Sequence, residues 1–155
     1  MPTIVEGSLD GAGLKVGVAV ASFNETVTQG LLEGALSELK RLGVGDVVVG
    51  RVPGAWELPL ACLALIDMGC QAVVAVGAVI KGETDHYEVI VENSAAGLRD
   101  VSVRAKVPVS NAVLTVQDLS QAIDRSSPGP GNKGAEAARA AVSMANFLHE
   151  RPSHL

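Results

Sequence analysis

The sequence predicts an α/β fold, a three-layer αβα sandwich built on a parallel sheet of about four strands. Short apolar runs alternate along the chain with longer stretches of helical periodicity, the order that strand-helix-strand units require. One run, Ala72 to Ile80, carries no charge and is mostly Val and Ala, so it reads as a strand buried on both faces of a parallel sheet. Polar residues follow these runs at once, most densely from Lys81 to His86. That places them at strand carboxyl ends, where open α/β sheets bind ligands.

Residues 1 to 13 hold Gly7, Gly11 and Gly13 around Ile4 and Val5, and read as an extended arm suited to pairing with the sheet edge of a neighbouring subunit. Leu14 to Ala21 is the first core strand. Thr26 or Thr28 is the expected cap of the next helix, in which Val27, Leu31, Leu32, Ala35, Leu36 and Leu39 fall at helical spacing until Gly43 stops it. Asp46 to Val52 is the second strand, ended by a Pro53-Gly54 turn. The run from Leu58 to Ile66 is too long for a typical strand and reads as a helix apolar all round. A helix with no wet face must be covered on every side, which here points to a subunit interface.

After the strand at Ala72 to Ile80, a helix is expected from about Tyr87 to Arg104. Val107 to Val116 makes the fourth strand. Asp118 caps a short helix through Arg125, and Ser126 to Gly131 is a loop rich in Pro and Gly. The last helix, Gly134 to His149, is mostly Ala. Its members Glu136, Arg139, Ser143 and Asn146 form one polar stripe, while the small residues elsewhere permit close helix approach and favour oligomer packing. Residues 150 to 155 are a tail.

At 155 residues the chain suits one domain with a full core. A net charge of -5, with no Lys/Arg cluster longer than a pair, argues against a nucleic-acid partner. Aromatics are 3% against 48% hydrophobic residues, so the core is close-packed Val, Ala and Leu, and some apolar surface is expected between subunits. No apolar stretch approaches a membrane span and no basic-then-apolar leader opens the chain, so a cytoplasmic protein without a membrane partner is expected. Cys62 and Cys70 lack CxxC spacing and read as buried free thiols. His86, His149 and His154 do not form a metal-ligand pattern.

Four loops leave strand ends: Ser22 to Glu25, Pro53 to Glu57, Lys81 to His86, and Val116 to Asp118 with the later Arg125 to Lys133 segment. On a parallel sheet they share one edge, and they offer Phe23, Trp56, Glu57, His86, Arg125 and Lys133. Such an inventory suits a planar polar ring stacked on an aromatic, with a phosphate held by cations and backbone amides. The N–H groups of Gly82 to Thr84, at a helix start, add an anion cradle. Taken singly, several of these residues have plainer readings. Trp56 reads as an anchor for the apolar helix, Glu57 as a first-turn acid suited to the helix dipole, Arg125 as a helix-end cation and Lys133 as a solvated loop charge.

Gly129 to Gly134, GPGNKG, satisfies GxGxxG literally, but it follows a short helix instead of a strand, so a dinucleotide-binding reading fails on context. It is not a Walker A loop, no GxSxG elbow occurs, and neither cysteine has a nearby His in sequence.

Five segments together carry a resemblance: FN at 23–24, VPGAWELP at 52–59, GAVIKGETDH at 77–86, PVSNAVLT at 108–115, and AIDR at 122–125 followed by GNKG at 131–134. In order and spacing they resemble the 6,7-dimethyl-8-ribityllumazine synthases of riboflavin biosynthesis, over nearly the whole chain. The resemblance implies a flavodoxin-like fold and condensation of 5-amino-6-(D-ribitylamino)uracil with 3,4-dihydroxy-2-butanone 4-phosphate, with no metal or redox cofactor. It implies that Phe23 stacks on the pyrimidine, that Ala55, Trp56 and Glu57 line the same site with Glu57 accepting from ribityl hydroxyls, and that Ala78, Val79 and Ile80 present backbone to the uracil edge. Glu83 and Thr84 would offer backbone or hydroxyl donors to the phosphate, with Arg125 closing on it from an adjacent subunit. His86 matches the proton-transfer histidine, Lys133 would stand near the phosphate, and Glu136 near His86.

The resemblance also implies a homo-oligomer, a pentamer or an assembly of pentamers up to an icosahedral capsid, with sites between subunits. Two departures stand out. Asn111 occupies a position where many members have Phe, making that pyrimidine contact polar. SSPGP precedes GNKG, in a loop that bears in the family on how pentamers join. The alternatives are a riboflavin synthase of the archaeal type, acting on lumazine alone, and an inactive flavin-binding or shell-forming homologue.

Overall fold

Val and Ala set the architecture because they are small enough to pack helices on both faces of a strand. In the computed structural model, which describes residues 1–150, strands β1 (Lys15–Ala21) and β3 (Ala72–Ile80) are inner and almost wholly buried. Strand β2 (Asp46–Val52), with its partly exposed residues, takes one edge and β4 (Val109–Val116) the other. The order is β2-β1-β3-β4 and every pairing is parallel, with Val18 beside Val49 and Val74, and Val76 beside Ala112. The chain moves outward to β2 and then back past β1 to β3, so the crevice between β1 and β3 is the topological switch point.

Helices α1 (Glu25–Arg41), α4 (Leu119–Ser126) and α5 (Lys133–Glu150) cover one face, where Val16, Val18 and Val20 pack with Leu31, Leu39 and Val142. Helices α2 (Leu58–Asp67) and α3 (His86–Ala105) cover the other, where Ala19, Val73 and Ala75 pack with Leu58, Cys62 and Leu98. This is a three-layer α/β sandwich of flavodoxin-like type. Cys62 and Cys70 are buried free thiols, and burial pushes the Cys62 thiol up to about 12. None of the described helices is long and apolar enough to cross a membrane. The tail expected beyond Glu150, with His154, lies outside the described residues.

Several expectations need correction. Neither Thr26 nor Thr28 caps α1: the cap position is Asn24, in left-handed conformation at φ 60°, and Thr28 is buried inside the helix. A sharp exit from β1 requires that conformation, which Asn tolerates better than a β-branched residue. Strand β4 begins at Val109 instead of Val107, because Pro108 has no N–H to donate and contributes only its carbonyl, which accepts from Val73. The apolar run Leu58 to Ile66 is helix α2 as expected, and this chain alone covers one side of it. Leu58, Cys62 and Leu65 face the sheet, whereas Leu60, Leu63 and Met68 are exposed on this chain.

The polar stripe of α5 has occupants. Arg139 reaches the buried Glu38 of α1 at 2.6 Å, and Arg41 pairs with the same carboxylate. Ser143 donates to the Gly7 carbonyl at 3.1 Å, and Asn146 to the carbonyls of Ser8 (2.8 Å) and Asp10 (2.9 Å). Residues Gly7 to Asp10 are thus held by α5 of the same chain.

Candidate active site

The carboxyl end of β1 runs directly into Phe23 and Asn24. Asn24 donates from Nδ2 to the Ala78 carbonyl on β3 at 2.9 Å, while the Ser22 and Phe23 N–H groups donate to the Pro53 carbonyl. These bonds tie the loops after β1 and β2 to the end of β3. Phe23 is 69% exposed and lies over Gly54, where a Cβ would stand 2.8 Å from Cδ2 of the ring. Ala55–Glu57 then forms a single 3-10 turn ahead of α2.

Together these loops wall a cavity of about 650 Å³ at the switch point. It is lined by Phe23, Asn24 and Gly54, by Ala55, Trp56 and Glu57, by the last residues of β3 (Ala78, Val79 and Ile80), and by His86, Val89 and Ile90 of α3. An aromatic ring, apolar walls, strand-end backbone, one carboxylate and one imidazole converge there, the combination that binds a flat polar ring and moves protons on it. Trp56 is 57% exposed on this chain and stands in this wall.

Lys81 N–H still donates to the Val116 carbonyl at 2.9 Å, prolonging the sheet, and the loop departs after it. Glu83 and Thr84 are exposed in that loop, and neither lines the cavity. The Thr84 hydroxyl accepts from the His86 N–H at 3.3 Å, fixing the first turn of α3. His86, Val89 and Ile90 are three and four residues apart and so share one helix face.

Asn111, Arg125, Lys133 and Glu136 are brought together elsewhere, in a second cavity of about 300 Å³ along β4. Lys133 pairs with Glu136 at 2.9 Å, and Arg125 donates to the Gln121 carbonyl at 3.0 Å. Asn111 accepts from the Val113 N–H through Oδ1 at 2.8 Å. The two cavities share no residue, so within one chain Glu136 partners Lys133 and does not stand with His86, and Arg125 does not meet the imidazole. Among the described residues no cluster of three His, Cys, Asp or Glu side chains could hold a metal.

With the geometry in view, comparison with known families is decisive. A family model described as 6,7-dimethyl-8-ribityllumazine synthase matches residues 13–149. The chain belongs to the 6,7-dimethyl-8-ribityllumazine synthase family. Membership places it with the transferase-type lumazine synthases of riboflavin biosynthesis, and the match spans every strand and both cavities.

Sequence reasoning passed over Asn24, Gly54, Val89 and Ile90 as residues lining this candidate site. Signals for three of them were present. Asn at the end of a buried strand is a left-handed turn signal, and Val89 and Ile90 repeat on the helix face of His86. Gly54 had none, because only the approach of Phe23 makes its missing side chain matter.

Proposed function

We propose that the protein condenses 5-amino-6-(D-ribitylamino)uracil with 3,4-dihydroxy-2-butanone 4-phosphate to 6,7-dimethyl-8-ribityllumazine, releasing phosphate and water. The observation that carries this reading is the single cavity in which Phe23, Glu57, the backbone of Ala78 to Ile80 and His86 converge. In this reading Phe23 stacks on the pyrimidine, Ala55 and Trp56 wall it, Glu57 accepts from ribityl hydroxyls, and Ala78, Val79 and Ile80 meet the uracil edge. Glu83 and Thr84 of the exposed loop meet the phosphate, which Arg125 and Lys133 close from the other side.

The 5-amino group attacks the ketone, water leaves to give an imine, phosphate is eliminated, and the second amine closes the ring with loss of another water. His86 relays the protons, a task that suits an imidazole near neutral pH. Holding two reactive partners together supplies most of the acceleration, an effect that reaches roughly 7 to 11 kcal/mol in favourable cases.

The division of residues between two cavities supports a site completed between subunits. His86 and the pyrimidine wall come from one protomer, and Asn111, Arg125, Lys133 and Glu136 from its neighbour. A homo-oligomer, a pentamer or an assembly of pentamers, also accounts for the apolar side chains left open on α2 (Leu60, Leu63), just after it (Met68) and on α4 (Leu119, Ile123). A cytoplasmic setting fits two free thiols.

Phosphate release and lumazine fluorescence, measured on the purified protein with both substrates and with lumazine alone, test the assignment. Product from the pair and none from lumazine alone is the expected result. Riboflavin from lumazine alone would move the protein to the archaeal-type riboflavin synthases, and silence in both would leave a flavin-binding or shell-forming homologue.

A further inference from the structure

The GPGNKG segment binds no dinucleotide by its context, yet its asparagine is the most heavily engaged polar side chain among the described residues. Asn132 is 2% exposed. Its Nδ2 donates to the carbonyls of Gly30 on α1 (3.1 Å), Ser126 (3.1 Å) and Ser127 (3.2 Å), while its Oδ1 accepts from the Ala135 N–H at 3.0 Å and so caps α5. The neighbouring backbone is cleared for it. A Cβ on Gly34 would stand 2.1 Å from Oδ1, and one on Gly134 would stand 2.0 Å from the Leu31 carbonyl.

The placement of this knot matters more than its strength. The carbonyl at Ser126 directly follows Arg125, and Lys133 directly follows Asn132. Those two cations line the same cavity along β4, but they stand on different helices joined by a six-residue stretch, 127–132, containing Pro128, Pro130 and two glycines. Without a tie, such a loop lets the end of α4 and the start of α5 drift independently.

We propose that Asn132 is a positioning residue that fixes the spacing of Arg125 and Lys133 for a phosphate group, acting through both neighbours without touching the substrate. The inference rests on the functional reading above for the identity of the phosphate carrier. Asn132→Asp is the informative variant, because it keeps the Oδ1 cap on Ala135 while turning a carboxylate oxygen toward three carbonyls. Asn132→Ala removes both functions. Val142→Ala, in the same helical layer but remote from the loop, serves as a control for lost stability alone.

Steady-state kinetics with each substrate varied in turn, at a temperature well below the melting point of every variant, should show a split. The KM for the phosphate-bearing substrate is expected to rise about tenfold in both Asn132 variants, with the pyrimidine KM changed by less than about threefold. Val142→Ala should move neither. Equal rises in both KM values, no rise, or the same split in Val142→Ala would overturn the positioning role. Titration with inorganic phosphate alone separates this inference from the functional reading. If wild type turns over neither the substrate pair nor lumazine but binds phosphate about tenfold more tightly than Asn132→Asp, the positioning role stands and the reaction assignment falls. Equal affinity, or no binding by either protein, removes the positioning role.

Discussion

The ring of Phe23 lies against Gly54 so closely that a Cβ at residue 54 would stand 2.8 Å from Cδ2 and 3.2 Å from Cε2. Each residue belongs to a different loop, yet together they form one surface of the larger cavity. Gly54 itself adopts an extended φ of -150°, so Ala would meet no backbone strain there and the ring alone must yield. Gly54→Ala is therefore expected to raise the KM for the pyrimidine substrate about tenfold while moving the melting temperature little. Kinetics alongside a thermal melt check this, and a pyrimidine KM equal to wild type would show that the ring does not stack on the substrate.

His86→Ala should slow turnover by roughly ten- to a thousandfold without abolishing it, since orientation of the two substrates survives the loss of the proton relay. Arg125→Ala should instead act mainly on use of the phosphate substrate. If the cavities are completed across subunits, mixing a slowed His86→Ala protomer with an impaired Arg125→Ala protomer in one oligomer restores some sites to full composition, and activity should rise above that of either variant alone. No such rise in a verified mixed oligomer would place both residues in one chain's site.

Glu38 joins α1 to α5 through Arg139 and also pairs with Arg41, and its side chain is only 10% exposed. Replacing it by Ala leaves two guanidinium groups without their shared acceptor at a helix interface. A loss of about 1–3 kcal/mol is expected, because both arginines retain partial access to water. Urea unfolding of Glu38→Ala measures it, with no change expected in either KM.

Burial raises the Cys62 thiol from its ordinary 9.0 to about 12. Between those values the unfolded chain releases a proton that the folded chain retains, so unfolding gains and stability falls as pH rises. Below about pH 9 both states hold the proton and the contribution is intact. Stability measured from pH 8 to 11 should decline less steeply in Cys62→Ala than in wild type, and parallel curves would remove Cys62 as a cause.

The sequence by itself determined the elements and their layering. The uncharged Val and Ala run from Ala72 to Ile80 reads as a strand buried on both faces, and the structure ends β1, β2, β3 and β4 at the residues the sequence pattern predicts. Residues near one another in sequence carry that information, since side-chain period and turn chemistry are local. The loops that hold the chemistry were legible for a related reason: strand-end polar clusters face one edge in any parallel sheet.

Only the tertiary structure decided which of those loops meet. Phe23, Glu57 and His86 share a cavity because β1 and β3 pair at the switch point, whereas Asn111, Arg125, Lys133 and Glu136 gather along the outer strand β4. Trp56 stands in a cavity wall, and Gly7 to Asp10 lie on α5. Each outcome depends on strand order and on packing between residues far apart in sequence, which no local period records.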